Sequence, residues 1–182
     1  LDTQALREGD TATQTYTARI TDDFGASATQ TITVTITGTN DAPVITTTGQ
    51  NFGSVTEAGS LNDGTPIAGS ATVSGTLTAT DVDTLATQSW AIQPGGSTTY
   101  GSIAIDSSTG VWTYNLDNTL AATQGLCEGQ SVTQTYTAQV TDDFGASATQ
   151  TIIVTITGTN DAPVIQEAAQ TGSVTEDGTD DA

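Results

Sequence analysis

The chain has no lysine, no histidine and no methionine, and its basic residues are Arg7 and Arg19 alone. Against 21 Asp and Glu residues they leave a formal net charge of −19. Binding nucleic acid requires clustered Lys and Arg to neutralise phosphates, so this composition argues against a nucleic-acid partner. It argues equally against an anionic membrane surface. No apolar run approaches the ~18 residues that cross a bilayer, so no membrane insertion is expected. Cys127 is the single cysteine, which rules out an intrachain disulfide and reads as an incidental free thiol. Without histidine, and with one thiol, zinc lacks its usual ligands. Nor is there a Lys or His base for nucleophilic catalysis. The neighbouring Asp22 and Asp23 imitate a glycosidase pair, but no substrate groove is visible, and the reading is not an enzyme. No signal-peptide pattern is present and Leu1 is not a start methionine, so the sequence reads as a piece of a longer chain.

What the chain has in abundance is itself. TDDFGASATQTITVTITGTNDAPVI at 21–45 returns as TDDFGASATQTIIVTITGTNDAPVI at 141–165, with Thr33 against Ile153 the one difference. Upstream, LREGDTATQTYTARI at 6–20 matches LCEGQSVTQTYTAQV at 126–140. GSVTEAG at 53–59 returns as GSVTEDG at 172–178. The period is about 120 residues, and fixed periodicity is the signature of a repeat architecture. The organisation expected is the C-terminal part of one repeat at 1–41, a complete repeat at 42–161 and the start of a third at 162–182. Pro43 and Pro163 punctuate the linkers.

Threonine alternates with apolar residues throughout. Tyr16, Ala18 and Ile20 share a face, as do Ile32, Val34 and Ile36. The second copy repeats this with Tyr136, Ala138 and Val140, then Ile152, Val154 and Ile156. Period two with β-branched residues predicts half-buried strands. Further strands are expected at 75–80, 89–92, 101–105 and 111–116, with DSSTG at 106–110 as a hairpin turn. No stretch shows helical periodicity. About seven strands per repeat points to an all-β fold of tandem sandwiches, immunoglobulin- or cadherin-like. Trp90, Trp112, Tyr114 and Tyr136 are expected to fill the core.

On that sandwich the acids gather at two ends. Asp142 and Asp143 precede the last strand and lie at the top, with Asp81, Asp83 and the entering linker Asn40-Asp41. Glu8, from the preceding repeat, is expected to face Asp81 and Asp83. The bottom should hold Glu57, Glu128 and the leaving linker Asn160-Asp161. Each motif alone reads as a polar turn, since Asp and Asn favour turns. Their convergence reads as a cation site. With no lysine to balance them, close carboxylates in a semi-buried junction need neutralising, and a hard cation with oxygen ligands does so. Calcium accepts about six to eight oxygens in flexible geometry, whereas magnesium demands a stricter octahedron.

The run GTLTATDVD…YGSIAIDSSTGVWTYNLDN…LCEGQSVTQTYTAQVTDDFGASATQTIIVTITGTND resembles the VCBS repeat of very large secreted bacterial proteins, including RTX-type adhesins. The resemblance covers about 73–161, and 6–41 match the end of a second copy. It rests on T-x-T-D-x-D at 78–83, G-x-W-x-Y at 110–114 and the closing TND. It implies an extracellular repetitive segment exported by a type I secretion system and linked to adhesion or biofilm formation. A host-cell or biofilm ligand would then be held by other domains. A looser likeness is to cadherin repeats, where Glu57, Glu128, Asn160-Asp161 and Asp81/Asp83 look like counterparts of calcium ligands. The linker GTNDAP lacks the first Asp of the cadherin form. The reading is a structural extender whose calcium ions bind neighbouring repeats into a rod. The other class is a carbohydrate- or protein-binding sandwich, with Trp112 as the sugar platform if it is exposed.

Overall fold

Threonine alternating with a β-branched or aromatic residue turns one face of a strand to a core and the other to water. The computed structural model, which describes residues 3–163 and 169–175, resolves this alternation into strands throughout. In chain order they are β1 (Thr11–Thr21), β2 (Ser27–Thr37), β3 (Val44–Ile45), β4 (Phe52–Thr56), β5 (Gly59–Ser60), β6 (Pro66–Ile67) and β7 (Thr72–Thr76). There follow β8 (Ala79–Thr80), β9 (Gln88–Ile92), β10 (Gly101–Ile105), β11 (Val111–Leu116), the one-turn helix α1 (Ala121–Gln124), β12 (Ser131–Asp142) and β13 (Ser147–Thr157).

Seven of these strands make a two-sheet sandwich. One sheet runs β4-β13-β12-β9, with β4 parallel to β13 and the other neighbours antiparallel. The other runs β10-β11-β7, all antiparallel. Between them lie Trp112, Tyr114 and Leu116 of β11, Tyr136, Ala138 and Val140 of β12, and Ile152, Val154 and Ile156 of β13. Trp90, Leu77 and Val55 complete the core. The four aromatics expected in the core are there. Trp112 is fully buried and its indole N–H donates to the Gln50 carbonyl at 2.8 Å. Tyr114 donates to Gln134 Oε1 at 2.7 Å, and Gln134 Nε2 donates to Ser97 Oγ at 2.9 Å, so the buried Gln134 amide is satisfied.

Two local expectations are corrected. Residues 75–80 are not one strand. The chain leaves β11 after Thr76, Leu77 plugs the core with its N–H on the Gly110 carbonyl, and β8 pairs instead with β3. The chain is also not wholly without helix, because α1 turns once before β12. Four residues are too few to show a period. Among the described residues no helix is long and apolar enough to cross a membrane.

The hairpin β1–β2 has nearly the sequence of β12–β13 and the same register, Tyr16 opposite Ile32 as Tyr136 is opposite Ile152. Its surroundings differ. Tyr16 is 50% exposed and Ile20 73%, whereas Tyr136 is 3% exposed and Val140 0%. Within the described residues no other strand joins the β1–β2 sheet.

Candidate metal site at the entering junction

The acidic loop is first a turn. Asp142 Oδ1 accepts the N–H groups of Phe144 and Ala146, both at 2.9 Å. Asp22 Oδ1 does the same for Phe24 at 3.0 Å and Ala26 at 2.8 Å. Gly25 and Gly145 sit at φ +87° and +95°, the left-handed conformation that favours glycine. Because Asp22 makes these bonds on an unaccompanied hairpin, they are local turn chemistry.

At the entering end the TDD loop meets three other segments. Gly38 presses on the Leu6 and Arg7 carbonyls so closely that a Cβ there would lie 2.5 Å and 2.4 Å from them. Gly158 packs on Leu126 and Cys127 in the same way. The glycine of T-I-T-G-T-N-D therefore brings the linker against the loop of L-x-E-G. From that platform Asn40 donates its backbone N–H to Glu8 Oε2 and its side-chain amide to Asp142 Oδ2, both at 3.0 Å. Asp41 N–H donates to Asp83 Oδ2 at 2.9 Å, and Asp83 N–H to Asp81 Oδ1 at 3.0 Å. The Ala5 carbonyl accepts both the N–H (3.1 Å) and the hydroxyl (2.7 Å) of Thr84. Glu8, Asn40, Asp41, Asp81, Asp83, Asp142 and Asp143 are thus brought to one junction.

Their oxygens are not equally free. Asp142 uses both oxygens on N–H donors. Burial pushes its carboxyl up, but the bonds from Asn40, Ala146, Phe144 and Gly145 together hold it below the ordinary carboxylate value. Asp143 accepts Thr87 N–H at 3.2 Å and pairs with the Arg7 guanidinium, which also lies over the Phe144 ring, 5.1 Å from its centroid. Asp81 Oδ2 and Asp83 Oδ1 are buried and have no hydrogen-bond partner. A buried carboxylate oxygen without a donor is strongly unfavourable. The residues therefore fit a hard cation at this pair, in an all-oxygen environment that suits calcium better than zinc. Among the described residues no group of three or more His, Cys, Asp or Glu is placed to hold a metal. A cation here would take its remaining oxygens from amide groups, backbone carbonyls and water.

At the leaving end Glu57 is fully buried. It accepts Thr159 N–H at 3.1 Å and the Gln124 side-chain amide at 3.3 Å. Burial, above all, and the charge of Asp161 push its carboxyl above the usual value, against the Thr159 bond that lowers it. Asn160 donates its side-chain amide to the Ser60 carbonyl at 3.1 Å, and Glu128 lines a small cleft with Ser60 and Asn160. Glu128 and Asp161 are themselves exposed. Two residues the sequence reading did not single out matter here: Gln124 on α1 and Arg7 across the other junction. The only hint of Arg7 was its alignment with Cys127 in L-x-E-G. Residues 164–168 and the end of the GSVTEDG echo, 176–178, lie outside the described residues.

The sequence pattern of the bacterial cadherin-like domain matches residues 40–158. Similar solved structures include mouse cadherin-23 EC22–24 (14% identity, 83% of this chain and 43% of that one, TM-score 0.39). Others are protocadherin gamma B7 domains 1–4 (20%, 88% and 34%, 0.43) and mouse protocadherin-24 EC1–3 (20%, 81% and 46%, 0.36). The chain spans less than half the length of each of these three. No curated protein matches it.

Proposed function

Because the chain belongs to the bacterial cadherin-like domain family, we propose that it is an adhesion-related extracellular module whose work is structural. It is one stretch of a VCBS-type repeat array in a large secreted RTX-type surface adhesin, exported by type I secretion. Residues 42–161 form one complete repeat, 1–41 close the preceding one and 162–182 open the next. Its partners are the neighbouring repeats, and ligands on host cells or in a biofilm are met by other domains of the same protein. Calcium bound at each junction holds successive sandwiches at a fixed angle, so that the array acts as a stiff spacer.

The observation that carries this reading is the pair of buried, unpartnered oxygens, Asp81 Oδ2 and Asp83 Oδ1. They sit where the linker crosses, one of them on the carboxylate that receives Asp41 N–H. At the entering end Asp81 and Asp83 hold the ion, the Asn40 amide and backbone carbonyls of the Asn40-Asp41 linker contribute from the other side of the joint, and Glu8 steadies that linker by accepting Asn40 N–H. Asp142 and Asp143 shape the loop and serve as ligands only by giving up Asn40 and Arg7. At the leaving end Glu57, Glu128, Asn160 and Asp161 form the corresponding half-site. Bound there, the cation supplies charge neutralisation; the chain supplies the geometry.

The test is Asp81→Asn with Asp83→Asn. Asparagine keeps the oxygens that accept Asp83 N–H and Asp41 N–H and removes the anionic charge. Calorimetry should show calcium affinity at this junction falling about tenfold or more. The circular dichroism should stay unchanged, and melting in EDTA should come at the same temperature or higher. Unaltered calcium affinity would remove the pair from the site. A sugar-binding role finds no support, because Trp112 is wholly buried.

A further inference from the structure

In the two copies of L-x-E-G the variable position is Arg7 in one and Cys127 in the other. Leu126 is buried in the sandwich core while Cys127 is exposed, so the complete repeat turns this position outward. Arg7 likewise turns outward, across the entering joint. Its guanidinium pairs with Asp143 and lies over the Phe144 ring, both on the hairpin loop of the complete repeat. Its Nε is buried without an acceptor, so charge and ring hold the side chain in place, not a hydrogen-bond network. The first hairpin shows what this loop does by itself. Asp22 makes the same turn bonds as Asp142. Asp23, the counterpart of Asp143, is exposed, and among the described residues the one salt bridge is that of Asp143. The pairing of Asp143 is therefore a property of the joint and not of the loop. The other basic residue, Arg19, lies within β1 opposite Thr29, so Arg7 is the one fixed cation here.

We propose that Arg7 stands in for a metal ion at the entering joint. By holding the Asp143 carboxylate it lowers the calcium that the joint takes, and a repeat that ends with cysteine at this position leaves that carboxylate to calcium. The proposal deepens the calcium reading above and rests on it. Asp143 has both oxygens in use, one accepting Thr87 N–H at 3.2 Å and the other on the guanidinium. A metal ion gains that second oxygen only by displacing Arg7. A pair this accessible is too weak to fix the joint by itself. What it changes is the charge an incoming ion meets. Neutralised by a tethered guanidinium, Asp143 attracts a cation little; released, it adds an anionic oxygen beside Asp142 on the same loop. Cysteine has neither the fixed positive charge nor the planar donor fork that matches a carboxylate. One loop thus serves two kinds of joint, poorer in calcium where arginine precedes it and richer where cysteine does.

Calorimetric titration of the 182-residue chain with calcium tests this. Arg7→Ala should bind calcium at the joint roughly fivefold more tightly than the wild type, or bind a further ion. Adding Asp143→Asn should remove the gain. Adding Asp10→Asn instead, which takes an exposed charge from the Arg7 loop, should keep most of it. Unchanged affinity and ion count in Arg7→Ala, beside a wild type that binds calcium, overturn the proposal and leave the calcium reading standing. A gain that Asp10→Asn cancels as fully as Asp143→Asn also overturns it, because the arginine would then act through the general field and not through Asp143. If neither the wild type nor Arg7→Ala binds calcium, the calcium reading falls and the proposal falls with it.

Discussion

Exchanging EDTA for ten millimolar calcium should raise the thermal midpoint by roughly 5–10 °C. Calcium sites in extracellular modules bind with dissociation constants of roughly 10⁻⁴–10⁻³ M. At about a hundred times the lower value, a ligand that binds only the folded chain stabilises it by about 2.7 kcal/mol. In a chain of this size each kcal/mol moves the midpoint by about 2–4 °C. The ligands assemble only on folding, since Asp81 and Asp83 belong to one loop and Asp41 to a distant linker. Equal magnesium should do little, because a pair of carboxylates completed by amides and carbonyls is an irregular cage that magnesium fits poorly. Sodium chloride at matched ionic strength should not reproduce the shift. Superimposable melting curves in EDTA, calcium and magnesium would end the metal reading.

Tyr136→Ala should lower stability by about 3–5 kcal/mol, while Tyr16→Ala should leave the unfolding of the sandwich almost unmoved. Both tyrosines sit in the same pentapeptide, TQTYT, opposite the same isoleucine. Tyr136 is 3% exposed, stands 6.0 Å from the Tyr114 ring and donates its hydroxyl to the Ser97 carbonyl at 2.7 Å. Tyr16 is half exposed and its hydroxyl reaches only the neighbouring Gln14. Local propensity is equal in the two variants, so the difference isolates tertiary packing. Denaturant unfolding of the two variants provides the measurement. Similar losses would mean that the first hairpin has a core of its own.

That pair also marks how far the sequence could be read. The strands were legible because alternation of threonine with Tyr, Ile and Val fixes both the element and its buried face. The gathering of acids at the two ends followed from the same topology. Which carboxylate is free could not be read, because one motif serves two purposes. In T-D-D-F-G the first aspartate closes the turn through Oδ1 and takes Asn40 on Oδ2, whereas D-V-D leaves one oxygen of each residue unmet. Nothing in spacing or composition separates these cases. Arg7 lay outside any pattern, since its partner is 136 residues away and its counterpart in the other copy is Cys127. α1 and the break at Leu77 were invisible for a simpler reason: each is a change of partner within a few residues, shorter than any period.

The central claim is that a divalent ion locks the joint between repeats, and the distance across that joint tests it most directly. Cys127 is exposed and lies at the far end of the sandwich from Asn40, and Thr17, on the exposed hairpin, can be replaced by cysteine. With donor and acceptor dyes on these two positions, single-molecule energy transfer reports the angle between hairpin and sandwich. In EDTA the repelling acids around Asp41, Asp81 and Asp83 should let the linker hinge, giving a broad distribution. In calcium the distribution should narrow to one long distance. Sodium chloride at matched ionic strength should leave it broad, because screening weakens repulsion without bridging the two sides. The same width and mean in EDTA and in calcium would contradict the account, even if calcium binds.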